Sequence, residues 1–92
     1  MLVYQTFNVG EAHMPIHITH NPNAADLCVF ITKNRGLAQN ESCWFICGTK
    51  ATADKTFYFG SRGIARLSVC FVSSLGQSGW QRAHPLQGKL AR

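Results

Sequence analysis

Val29-Phe30-Ile31-Thr32-Lys33-Asn34-Arg35-Gly36-Leu37-Ala38 decides how the rest of this chain is read. Its first four residues are β-branched or aromatic, and the run is too short for a helix, so it reads as a strand. Asn34-Arg35-Gly36 is turn chemistry: asparagine bonds its own backbone, and glycine accepts a positive φ without steric cost. Ala38 then returns the chain at a place where only a methyl group fits.

Outward from this stretch the same pattern recurs. Small residues stand at Ala12, Ala25, Ala38, Ala53, Ala65 and Ser78, at intervals of 13, 13, 15, 12 and 13 residues. Four places before each anchor stand Asn8, Asn21, Asn34, Thr49, Ser61 and Ser74, all short and polar. Six places before stand Thr6, Thr19, Thr32, Cys47, Phe59 and Val72, and seven before stand Gln5, Ile18, Ile31, Ile46, Tyr58 and Phe71. After the anchors, Asp26-Leu27-Cys28-Val29 and Arg66-Leu67-Ser68-Val69 alternate into the next strand. Each unit is therefore strand, tight polar turn, small residue, strand, and doubles back beside its predecessor. A unit this short cannot bury its own face, so the six must stack or coil on one another. An open solenoid needs polar caps at its edges, whereas Val3-Tyr4 lies near the start and Trp80 near the end. Closure into a toroidal sheet is the expected solution. The chain is all-β and one domain over 1–92, with units across about 3–82 and a tail over 83–92. Met14-Pro15-Ile16 is an alternative start, but Val3 through Ala12 keeps the repeat phase, so a genuine first unit is expected.

The ordered set Asn21-Pro22-Asn23-Ala24-Ala25-Asp26-Leu27-Cys28-Val29-Phe30, Lys33 to Ala38, Ala53-Asp54-Lys55-Thr56-Phe57-Tyr58-Phe59 and Gly76-Gln77-Ser78-Gly79-Trp80 resembles a small bacterial family described as having a seven-crossing (septafoil) knot domain. His84-Pro85-Leu86-Gln87-Gly88-Lys89-Leu90 is similar to that family's C-terminal tail. The resemblance spans roughly residues 3 to 90 and implies a compact toroid of short strands with a true knot, a rare exception to the rule that chains do not knot. It brings no activity, ligand or catalytic residue. Two departures stand out: Ser78 replaces an expected alanine, and the unit ending Ala51-Thr52-Ala53 lacks the turn glycine and is two residues longer.

Composition excludes several classes. A hydrophobic share of 46% against 14% charged residues is too apolar for a disordered tail. No run approaches the roughly 20 apolar residues of a spanning helix. Met1 to Phe7 lacks the basic and apolar regions of an export signal, so a cytoplasmic protein without membrane contact is expected. Cys28, Cys43, Cys47 and Cys70 then read as free, buried, inert thiols. The net charge of +5 is uneven: residues 1–54 carry three bases and four acids, and residues 55–92 carry six bases and no acid.

Candidate sites are few. His13, His17 and His20, or Cys43 and Cys47, lack the paired spacing of a zinc site, so no metal or cofactor is expected. No serine or cysteine has a recognisable activating base, which leaves no catalytic assignment, and Asp26 and Asp54 read as acceptors for backbone N–H groups. Trp44, Phe45, Phe57, Tyr58, Phe59 and Phe71 recur in strand phase and read mostly as core. Arg35, Lys50 and Arg62 share one repeat phase; with neighbouring turns side by side they form a candidate anion-binding cluster. The expectation is a non-catalytic binding or interaction module of high kinetic stability, with an unknown protein partner or self-association. A basic module for nucleic acid or another polyanion is the less favoured alternative, and a small cysteine enzyme the least.

Overall fold

In the computed structural model, residues 1–90 are described. Seven strands follow one another: β1 (Leu2–Thr6), β2 (Met14–Ile18), β3 (Leu27–Ile31), β4 (Cys43–Ile46), β5 (Lys55–Phe59), β6 (Ser68–Val72) and β7 (Gly79–Trp80). There is no α-helix among the described residues, only three-residue 3-10 turns. The anchors Ala12, Ala25, Ala38, Ala53 and Ser78 each close one of these turns by donating their N–H to the carbonyl three residues back. Ala65 follows a turn closed by Ile64 N–H on Ser61 O at 3.3 Å. The repeat is thus a structural period.

The turn glycines correct one expectation. Gly79 and Gly88 have positive φ, whereas Gly10, Gly36, Gly63 and Gly76 do not. A 3-10 turn keeps φ negative throughout, which is why Asn23 and Ala51 serve in the same place.

The order around the sheet is β4-β1-β5-β2-β6-β3, closed by pairing of β3 with β4. All six of these strands run parallel to their neighbours. Successive strands are therefore not neighbours, except at β3 and β4. The chain lays down β1, β2 and β3 two places apart, then continues round and sets β4, β5 and β6 into the gaps. Every pairing within the ring joins a first-circuit strand to a second-circuit one. The expectation that each unit lies beside its predecessor is corrected accordingly: a parallel neighbour needs a return crossover, and these short returns overshoot by one place. β1 pairs with both β4 and β5, so residues 1–13 are an integral first unit. At the closure β3 gives Leu27 and Cys28 to antiparallel β7, and Phe30 and Ile31 to β4.

The ring is filled by fully buried residues from each of its six strands: Val3, Ile16, Val29 with Leu27, Trp44, Phe57 and Val69. Trp44 meets Phe57 at 5.4 Å between centroids and Phe71 edge-on at 6.2 Å. Each such side chain contributes about 1.5–3 kcal/mol on removal from water. Of the six aromatic positions read as core, Trp44 and Phe57 are fully buried, Phe45, Tyr58 and Phe59 half-buried, and Phe71 partly exposed.

The residue after an anchor starts the ladder by a reciprocal bond. Asp26 N–H donates to Ser68 O (2.8 Å) while its Oδ2 accepts from Ser68 N–H (3.0 Å). Asp54 does the same with Leu2, at 2.8 and 2.9 Å, and His13 with Thr56, at 2.8 and 2.9 Å through Nδ1. At the equivalent place Arg66 N–H donates to Pro15 O at 3.1 Å. Proline has no N–H to offer, so no acceptor is needed there and an arginine fits. The two aspartates accept backbone N–H groups as read, but from the adjacent strand rather than from their own turns.

Candidate functional site

The strand starts of β5, β2 and β6 lie side by side, which brings Lys55, the first residue of β5, to one rim of the ring with His13, just before β2, and Arg66, two residues before β6. The C-terminal tail crosses the same rim. A cleft of about 150 Å³ opens between them, lined by His13, Met14, Lys55, Phe57 and Arg66 from the ring and Leu86, Lys89 and Leu90 from the tail. Its charged groups are all cationic, since no carboxylate among the described residues lines it. Met14, Phe57 and Leu90 are otherwise buried, so the floor is apolar core surface. His13 spends Nδ1 on Thr56 N–H, which places its ring proton on Nε2.

Glu41 fixes the tail. Its Oε1 accepts from Gly88 N–H (2.8 Å) and Trp80 Nε1 (3.1 Å), and its Oε2 from Leu90 N–H (2.6 Å). Its own carbonyl accepts from Trp44 Nε1 at 2.7 Å. Trp80 stacks on His84, whose Nε2 lies 3.8 Å from Asp26 Oδ2, and Arg82 Nε lies 3.7 Å from the other oxygen of Asp26. Leu90 thereby joins the core cluster, with Leu86 packed against it. A carboxylate holding three donors is rigid because charge-assisted bonds are short and directional.

Sequence reasoning missed both Glu41 and the cleft. The signal for Glu41 was the longer unit: β2, β3, β5 and β6 begin two or three residues after their anchor, whereas β4 begins at Cys43, five after Ala38. The extra residues form the loop before β4, and Glu41 stands in it. Nothing local marks Lys55, Arg66 and Lys89 as neighbours.

The cluster read from the sequence does not assemble as one. Turns that follow one another in sequence are mostly not adjacent in the ring. Arg35 and Lys50 fall on neighbouring turns, where Arg35 Nη2 donates to Thr52 O (2.9 Å) and its guanidinium lies 5.7 Å from the centroid of the Phe45 ring. Lys50 pairs with Glu11 at 3.9 Å. The turn carrying Arg62 is separated from that of Lys50 by the Val9–Glu11 turn. None of the three lines the cleft.

Among the histidines, His17 Nδ1 faces Gly60 O at 3.4 Å and His20 is exposed. No group of three or more metal-ligating side chains gathers among the described residues. All four cysteines are buried and unpaired by disulfides. Burial, reinforced by adjacent Cys70, pushes the Cys28 thiol pKa up. No helix of the described residues is long and apolar enough to cross a membrane.

A closed ring of six parallel strands, wound in two interleaved circuits, defines a class of all-β ring domain. The chain belongs to the septoil knot domain family: the family's model, a 7(1) septoil knot domain, matches residues 1–81. The match stops short of Leu86, Lys89 and Leu90. Neither the curated proteins nor the solved structures include a match to this chain.

Proposed function

We propose that this is a non-catalytic binding module of the bacterial cytoplasm, and that it takes the anionic group of its ligand in the rim cleft. The observation that carries this reading is the lining: Arg66 and Lys89 face one another across the cleft, and no described carboxylate lines it. Arginine and lysine at such a mouth favour an anion by charge and hydrogen bonding. Burial of all four thiols and the raised pKa of Cys28 support the non-catalytic reading, and free thiols suit a reducing compartment. The interleaved circuits support a knotted path, whose threading raises the barrier to unfolding and keeps such a site rigid.

The test is anion binding by the whole chain, followed by isothermal calorimetry at two salt concentrations. Arg66→Glu combined with Lys89→Glu should abolish binding, and added salt should weaken it in the parent protein. Unchanged affinity in the double variant overturns the reading. The polyanion alternative predicts a steep salt slope with oligonucleotides. The return-turn bases do not support it, because Arg35 and Lys50 already have partners and Arg62 stands apart from them.

A further inference from the structure

We infer that residues 82–90 form a strap that opens and closes while the ring stays folded, with Glu41 as its latch, and that the cleft is an anion site only while the strap is closed. The inference rests on the cleft being the binding site and adds how that site is gated.

The ring is complete without the strap. Its six strands and β7 end by Trp80, and the described residues beyond hold turns but no strand. The strap bonds mainly to itself: Leu86 N–H donates to His84 Nδ1 (3.1 Å), Gln87 N–H to His84 O (3.1 Å) and Lys89 N–H to Leu86 O (2.9 Å). Among the described residues no backbone-to-backbone bond joins it to the ring. At its near end Arg82 donates to Asn23 O (2.8 Å) and, with His84, faces Asp26. At its far end both backbone donors, Gly88 and Leu90, go to the carboxylate of Glu41. Opening that end breaks no ladder bond, so it is a local event with its own, smaller free energy.

Lys89 stands between the two N–H groups that Glu41 holds, and it lines the cleft, whereas Glu41 does not. Arg66 belongs to the ring. Opening therefore carries Lys89 away and leaves Arg66 on a bare rim. An anion held between these two cations binds the closed state better than the open one, and it shifts the strap toward closure by that difference in affinity. Glu41 is thus a positioning residue, acting on the ligand through Lys89.

The test is amide hydrogen exchange of the full chain, with and without inorganic phosphate. Gly88 and Leu90 should be protected at least tenfold less than ladder amides such as His17 and Thr19. Phosphate at about ten times its dissociation constant should slow exchange at Gly88 and Leu90 about tenfold. Glu41→Gln keeps the side chain's shape, yet whichever way the amide turns, one strap N–H loses its acceptor. Exchange at Gly88 and Leu90 should then rise tenfold or more. Gly88→Val should do the same while sparing Glu41 and every lining residue, because Gly88 stands at φ 81, which a β-branched residue adopts only under strain. In both variants the phosphate dissociation constant should rise by the reciprocal of the closed fraction. Loss of an acid would by charge alone tighten phosphate, so weaker binding in Glu41→Gln reports the strap. Equal protection of strap and ladder amides overturns the inference. Phosphate binding that leaves strap exchange unchanged also overturns it, and leaves the anion site standing on the ring. No phosphate binding by the parent chain overturns both the site and its gating.

Discussion

The first circuit of the ring and the second are built from the same unit and held in different ways. In the first, Thr6, Thr19 and Thr32 accept the N–H of Asn8, Asn21 and Asn34, whose side chains accept in turn from Gly10, Asn23 and Gly36. The three asparagines share one conformation, with φ between −117 and −106 and ψ close to 110. In the second circuit the corresponding pairs are Cys47 with Thr49, Phe59 with Ser61, and Val72 with Ser74. Thr49 and Ser74 make no capping bond and are more extended, at φ −136 and −138. The 3-10 turns still form there, closed at 3.2 Å in one and 3.1 Å in the other. An N-cap side-chain bond is therefore not what bends these two second-circuit turns. They use other local bonds, Thr52 Oγ1 to Thr49 O at 3.1 Å and Ser78 Oγ to Leu75 O at 2.6 Å, and each second-circuit strand is laddered on both flanks. First-circuit strands have no partners among themselves, and their turns carry their own instructions.

The comparison can be broken or sharpened by substitution, with stability read from denaturant midpoints after full equilibration. Phe57→Ala in the second circuit should cost about 3–5 kcal/mol, and Val29→Ala in the first less in proportion to its smaller volume. An interior position in one circuit that tolerated truncation would show the ring filled unevenly. Asp26→Ala should cost about 1–3 kcal/mol by orphaning Ser68 N–H, whereas Asp26→Asn keeps an acceptor and should cost less. If the two cost the same, the reciprocal bond is not the reason for the aspartate.

The capping contrast itself predicts a smaller difference. Asn34→Ala should lose about 1 kcal/mol, and Ser74→Ala should stay within about 0.5 kcal/mol, since only the former has a bond to lose. Equal losses would erase the distinction between the circuits. Smallest is the effect of alkali on the β3–β6 junction. Cys28 has a raised thiol pKa in the fold, so the unfolded chain ionises first. The stability this brings is whole below the ordinary thiol value of about 9.0 and is lost as pH rises through the folded value. Cys28→Ala should flatten that alkaline decline in midpoint, and alkylation of the native protein should stay slow at neutral pH.

Much of the unit was legible because each of its signals is local. Strand runs such as Val29 to Thr32, the asparagine turns and the anchor residues fall where read. The aspartates at Asp26 and Asp54 were legible as backbone acceptors, but not their donors, which lie 42 and 52 residues away in sequence. The site was hidden for the same reason. Arg35, Lys50 and Arg62 share a phase, and phase says which part of a unit a residue occupies, not which unit lies next to it. Lys55, Arg66 and Lys89 share no phase and meet because of strand order and a folded-back tail.

The sequence by itself determined the period, the all-β character, the turn at each unit and the need to close, because these follow from residue chemistry within a dozen positions. Only the tertiary structure decided that the ring is wound twice and interleaved, that Glu41 anchors the tail, and that the cations gather at one rim. Those facts depend on which strand a returning chain pairs with, and that is set by the closure of the whole ring rather than by any segment of it.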